Sequence, residues 1–151
     1  MTEIEGVEKL GLLVGQEAGL SEWVGVSQER IHSFAEATED RQWIHTDPER
    51  AARESPFRVT VAHGFLTLSL LSEMGRTAVA VGGVRMGINY GLNRVRFVAP
   101  VPSGSRVRGR FKLAALEEIK GGVQATWDVT VEREGGGKPC CTAVWLVRYY
   151  V

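Results

Sequence analysis

The run Phe65-Leu66-Thr67-Leu68-Ser69-Leu70-Leu71-Ser72-Glu73-Met74 constrains the fold of this chain more than any other stretch. It is apolar on nearly every face of a helix, and such a helix is stable only when other elements enclose it. The pattern predicts one helix from about Gly64 to Val79, buried all round. The run is too short to span a bilayer, so the chain itself must supply the cover.

The second half of the sequence supplies it. Val123, Ala125, Trp127, Val129 and Val131 alternate with Gln124, Thr126, Asp128, Thr130 and Glu132, the period of a half-buried strand. Val107, Gly109, Phe111 and Leu113 alternate with Arg and Lys in the same way. Met86 to Phe97 reads as a long strand, ended by Pro100-Val101-Pro102-Ser103-Gly104. Thr142 to Val151 reads as the last strand. Gly121-Gly122 is the expected hairpin turn, and Gly135-Gly136-Gly137 turns the chain again.

The first half reads as helical. Ile4, Val7, Leu10, Leu13 and Val14 suggest a helix over 4–16, weakened by Gly6, Gly11 and Gly15. Trp23 to Val26 is a short strand. Ser27 is an N-cap, and Ile31, Phe34, Ala35 and Thr38 continue an amphipathic helix to about Thr38. Asp47-Pro48-Glu49 starts another helix, which Ser55-Pro56 stops. The expected fold class is therefore α+β, a long antiparallel sheet around one central helix. A single domain over 1–151 is large enough to hold that core.

Formal net charge is zero, which gives no bulk attraction to nucleic acid or to an anionic membrane. Cys140 and Cys141 are adjacent, so on a strand they point to opposite faces and do not pair. Free thiols and an acidic start, Met1-Thr2-Glu3-Ile4-Glu5, without a signal-peptide pattern fit a cytoplasmic setting. His32, His45 and His63 lack zinc-type partners at close spacing, and no metal is expected.

Chemistry concentrates in Glu39-Asp40-Arg41-Gln42-Trp43-Ile44-His45-Thr46-Asp47-Pro48 and in Ala62-His63-Gly64-Phe65. A carboxylate and an imidazole form an acid/base pair. Five residues of continuous helix would leave them about 140° apart, so Asp40 and His45 cooperate only across a loop. His63-Gly64 heads the apolar helix, where free backbone N–H groups favour a developing oxyanion. Glycine there lets a substrate approach the backbone closely. His63 is expected mainly to fix the loop before the helix. Asp47 is read as an N-cap. Phe65 and Asn89 are candidates for lining a pocket. Arg94 and Arg96 could hold phosphates, since guanidinium suits bidentate phosphate contacts.

Taken together, these motifs resemble the MaoC-like (R)-specific enoyl-CoA hydratases of the hot-dog fold, and within them the NodN-like branch. The family motif has the form Gly-Asp-x-Asn-Pro-x-His-x-Asp. Here Asp40, His45 and Asp47 match it, while Glu39 stands for Gly and Gln42-Trp43 for Asn-Pro. Ala62-His63-Gly64 and Arg96-Phe97-x-x-Pro100-Val101 match two further family stretches, and the resemblance covers roughly residues 20–150. It implies that Asp40 and His45 activate a water for addition to a trans-2-enoyl-CoA. It implies that the Gly64 N–H polarises the thioester carbonyl. No separate cofactor is implied, because coenzyme A is part of the substrate. A homodimer with continuous sheets is implied as well.

Two other functions fit the same expected fold. An acyl-CoA thioesterase would use a carboxylate on the central helix, where Glu73 is the only candidate. A non-catalytic acyl-binding subunit would dispense with the Asp40–His45 pair, which is present here.

Overall fold

Fifteen consecutive residues of one strand set the frame on which everything else sits. In the computed structural model, which describes residues 1–151, the elements follow in the order β1 (Thr2–Ile4), α1 (Val7–Gly11), β2 (Glu17–Leu20), β3 (Val24–Val26) and α2 (Gln28–Thr38). Next come α3 (Trp43–Thr46), α4 (Pro48–Glu54), α5 (Gly64–Ser69), α6 (Leu71–Ala78) and β4 (Val79–Val81). The long strands close the chain: β5 (Met86–Phe97), β6 (Ser105–Ile119), β7 (Gly122–Arg133) and β8 (Cys141–Tyr150). The main sheet has the order β2-β6-β7-β8-β5, all pairs antiparallel, with β3 also on β6.

Period two decides which face of this sheet is dry. Val123, Ala125, Trp127, Val129 and Val131 of β7 are all buried, as are Val107, Phe111 and Leu113 of β6. They meet Met74, Leu71 and Ala78 of α6 in one core that also takes in Leu10 and Ile31. Burying each such Val, Leu or Phe side chain contributes on the order of 1.5–3 kcal/mol. The alternate residues of β6 and β7 face outward and carry the charges. Arg106 pairs with Glu134, Arg108 with Glu132 and Arg110 with Glu17. This is the hot-dog arrangement that the resemblance implied.

Four expectations need correction. The helix over 4–16 is instead β1, the short α1 and a series of turns, and β2 follows it. Glycine weakens the helix, and Gly15 sits at φ 87. Parallel pairing of β1 with β4 is a long-range contact invisible to local periodicity. The central helix is broken at Leu70 into α5 and α6. Ser69 Oγ donates to the Phe65 carbonyl at 2.7 Å, and such back-bonding competes with the helix ladder and bends it.

Nor is that helix buried all round. Leu66, Thr67, Leu71 and Met74 are buried, whereas Phe65 is 67% exposed and Ser69, Ser72 and Glu73 are exposed as well. The sheet covers one side of the helix only. Finally, the β6–β7 turn is Lys120-Gly121, since Ile119 pairs with Gly122.

Candidate active site

The Asp40–His45 segment begins where α2 ends. Ser27 caps α2 by accepting from the Arg30 N–H. At the other end Glu39 adopts the left-handed region, φ 63 and ψ 12. That conformation suits glycine, which accounts for Gly at this place in the family motif. The turn releases Asp40 from the helix. Gln42 then opens α3 and Trp43 takes its first position, where a proline is also well accommodated. Gln42-Trp43 therefore starts the same turn that Asn-Pro would, although Gln42 forms no side-chain cap. The Arg50 guanidinium lies over the Trp43 ring at 4.3 Å. Asp47 accepts from the Arg50 N–H and caps α4, as expected.

His45 lies on α3, a single helical turn, rather than on a loop. Helical spacing separates the two side chains only on an unbroken helix; the break at Glu39–Gln42 lets both converge while His45 keeps helical backbone. The imidazole is buried, and its Nδ1–H donates to the Val61 carbonyl at 2.6 Å. A carbonyl only accepts, so Nδ1 carries the hydrogen and Nε2 keeps its lone pair. Burial pushes the His45 pKa below its ordinary value, and the neighbouring His63 adds to this. The Val61 carbonyl and the Asp40 carboxylate oppose it without reversing it.

His63 stacks on His45, with ring centroids 3.8 Å apart and planes inclined by 25°. Its Nε2–H donates to the Asp40 backbone carbonyl at 2.9 Å. The expected loop-fixing role thus has a specific form: His63 ties the Asp40 loop down while backing the His45 ring. Its Nδ1 is buried with no hydrogen-bond partner. One ligand atom each of Asp40, His45 and His63 lies within 4.8 Å of the others. His45 Nδ1 and His63 Nε2 are engaged with backbone carbonyls, so His45 Nε2 and His63 Nδ1 are the ring atoms left for a ligand, a cation or a proton.

The segment before α5 is stitched to the turn after β5. Ala62 N–H donates to Val101 O at 2.8 Å, and Ser103 N–H to Thr60 O at 2.9 Å. His63 is the N-cap of α5 and Gly64 its first residue. The Gly64 N–H therefore opens the helix without an intrahelical acceptor. A Cβ at Gly64 would stand 2.6 Å from the Phe97 ring, so close packing also requires glycine. A small cavity of about 240 Å³ adjoins it, lined by Thr67, Phe57, Phe97 and Cys140 among others.

The other candidates scatter. Phe65 is exposed beside Gly64, edge-on to Phe97. Asn89 faces the helix and donates to Ser72 Oγ at 3.1 Å, lining a cavity of about 520 Å³ with Gly75, Phe111, Trp127 and Trp145. That larger cavity reaches none of Asp40, His45 and Gly64. Arg94 and Arg96 sit opposite Val144 and Thr142 and share a shallow hollow with Asp128 and Thr130. This is the outer face of the sheet, so within one chain they do not join Asp40 and His45. Glu73 is ion-paired with Arg76 in solvent. Cys140 and Cys141 are free and buried, and burial pushes the Cys141 thiol up to about 11. Val61, whose carbonyl fixes the His45 ring, was not foreseen; a backbone acceptor leaves no residue-type signal.

An antiparallel sheet around a helix, with Asp, His and a helix-opening glycine at one end, describes a class of hydratase-like proteins. The chain belongs to the MaoC like domain family, which matches residues 10–134. It is 51% identical over 150 residues to a Mycobacterium tuberculosis protein named 3-hydroxyacyl-thioester dehydratase Z, covering 99% of both chains. It is 53% identical over 136 residues to nodulation protein N of Rhizobium leguminosarum bv. viciae, covering 88% of this chain and 84% of that one. The structure of an (R)-hydratase from A. caviae involved in PHA biosynthesis superposes with a TM-score of 0.70 at 25% identity, covering 87% and 95% of the two chains. The chain is a hydro-lyase of this family, a hydratase or dehydratase.

Proposed function

We propose that this protein adds water to trans-2-enoyl-CoA thioesters to give (R)-3-hydroxyacyl-CoA, and catalyses the reverse dehydration. The observation that carries the reading is the state of His45: hydrogen on Nδ1, lone pair on Nε2, beside Asp40. The relative named for 3-hydroxyacyl thioesters supports the substrate class.

In this reading Asp40 and His45 Nε2 hold one water. His45 takes its proton as the oxygen bonds to C3. The C2–C3 electron pair moves toward the thioester, and negative charge grows on the carbonyl oxygen. The Gly64 N–H receives that charge; one well-placed donor of this kind is worth roughly 3–4 kcal/mol. The proton then passes from the Asp40–His45 pair to C2, so both hydrogens and the oxygen of water end in the product. Coenzyme A enters as part of the substrate, and no further cofactor takes part.

The protein acts in the cytoplasm as a single domain and as a homodimer. What supports the dimer is β5, the last strand of the sheet, where Met86, Ile88, Tyr90 and Leu92 are exposed. The thioesterase alternative is less well supported, because Glu73 is engaged with Arg76 on the exposed side of α6.

Incubation with crotonyl-CoA and longer enoyl-CoAs tests the reading. The conjugated thioester absorbance disappears and chiral analysis finds the (R)-alcohol, while saturated acyl-CoA releases no thiol. Thiol release without hydration contradicts it.

A further inference from the structure

Gln28, in the first turn of α2, touches both halves of the His45 support. Its Nε2 donates to the His45 backbone carbonyl at 2.7 Å. Its Oε1 accepts from the Thr60 hydroxyl. Thr60 is almost fully buried and immediately precedes Val61, whose carbonyl holds His45 Nδ1–H. The Val61 N–H in turn donates to the Ile44 carbonyl at 3.0 Å. The contacts close a ring: Gln28, the His45 backbone, the His45 imidazole, Val61, Thr60 and back to Gln28. The amide orientation is unambiguous, since a carbonyl must face NH₂ and the Thr60 hydroxyl donates to oxygen. One turn further along α2, His32 Nε2 lies 3.0 Å from the Thr46 carbonyl, the next along α3. Its Nδ1 stands 3.3 Å from Gln28 Nε2 and 3.0 Å from the Gln28 backbone carbonyl.

We propose that Gln28 is a positioning residue for His45, fixing through one amide both the place of the ring and which of its nitrogens carries the hydrogen. This rests on the reading of His45 as the base. The amide pins the α3 backbone through its donor and the Thr60–Val61 segment through its acceptor. Without the amide, two buried polar groups lose partners at once, and the Val61 carbonyl is free to shift. Only the Nδ1–H form presents a lone pair at Nε2, so a ring that exchanges tautomers is a base for only part of the time. Buried hydrogen-bond rings of this kind specify one arrangement when every member is satisfied.

The test uses Gln28→Met, which removes both bonds, and Gln28→Glu, which keeps an acceptor for Thr60 but has no donor for His45. Two quantities are read: steady-state kinetics with crotonyl-CoA, and the ¹⁵N signature of the His45 ring by NMR. For Gln28→Met, kcat falls about 10- to 100-fold while KM changes by less than about threefold, the split expected when placement of a reacting group is lost. The single Nδ1–H signature of the parent gives way to mixed tautomers. Gln28→Glu moves both readouts in the same direction and carries the test if Gln28→Met does not fold. A folded variant with parental kcat and an unmixed Nδ1–H signature overturns the proposal. His45→Gln separates the two layers. If that variant keeps parental turnover, the reading of His45 as base fails, and the tautomer signature alone decides the role of Gln28.

Discussion

The proposed role of His45 as a base rests on where its hydrogen goes. The Val61 carbonyl takes Nδ1–H, and burial, reinforced by His63, holds the imidazole pKa below the ordinary value of about 6.5. Two consequences follow from the sign of that shift. The kcat/KM profile stays flat through pH values where an ordinary histidine protonates and bends only at lower pH. A bend at or above about 6.5 in the free-enzyme profile contradicts this. On stability, the unfolded chain gains this proton before the folded one does. The free energy of unfolding therefore falls as pH drops from about 6.5 toward the lowered folded value, and urea midpoints across that window measure the loss of stability. Asp40, His45 and Gly64 could be picked out in the sequence because each stands at a local punctuation mark, and their proposed roles follow from the motif they share with the family. Val61 and Thr60 were not, because they act through tertiary hydrogen bonds that residue type and spacing do not encode.

At the scale of elements, Glu39 shows how a departure from a family motif is absorbed. The α2 terminus still turns through the left-handed region, φ 63, with a side chain present. A non-glycine residue there costs roughly 1–2 kcal/mol, part of which glycine returns as unfolded-state entropy. Glu39→Gly should therefore raise stability by about 0.5–1 kcal/mol, read as a higher urea midpoint at unchanged slope. A lower midpoint would show that the Glu39 side chain contributes more than its backbone costs. Strands β5 to β8 were legible as elements: period two marks β7 over ten residues, a shorter alternation over 107–113 marks part of β6, and the runs at 86–97 and 142–151 mark β5 and β8. The N-terminal elements were not. Glycines blur α1, and β1 and β2 exist only through partners far along the chain, β4 and β6. The division at Leu70, beside the Ser69 hydroxyl bond to the Phe65 carbonyl, leaves no mark in the apolar pattern.

For the whole molecule, the open question posed by the fold is what covers β5. Its residues are mostly exposed although it is the longest strand after β6, equalled only by β7. Long apolar edges of this sort pair with another chain unless they are protected. With the homodimer proposed above, light scattering gives twice the 16.6 kDa chain mass, and Ile88→Lys shifts the protein toward the monomer. A parent protein that is monomeric at all concentrations contradicts the proposed pairing. Arg94 and Arg96 lie on the face of the sheet away from Asp40 and His45 of the same chain. That separation follows from strand register, which the sequence alone left free.

Turnover of crotonyl-CoA by His45→Gln and Asp40→Asn, each compared with the parent under saturating substrate, tests the central claim most directly. Both side chains are proposed to handle the same water, and a positioned acid/base group contributes roughly 10²- to 10⁴-fold. A loss of that order is expected in each variant, with circular dichroism and thermal midpoints close to the parent. Parental turnover in either folded variant would contradict it.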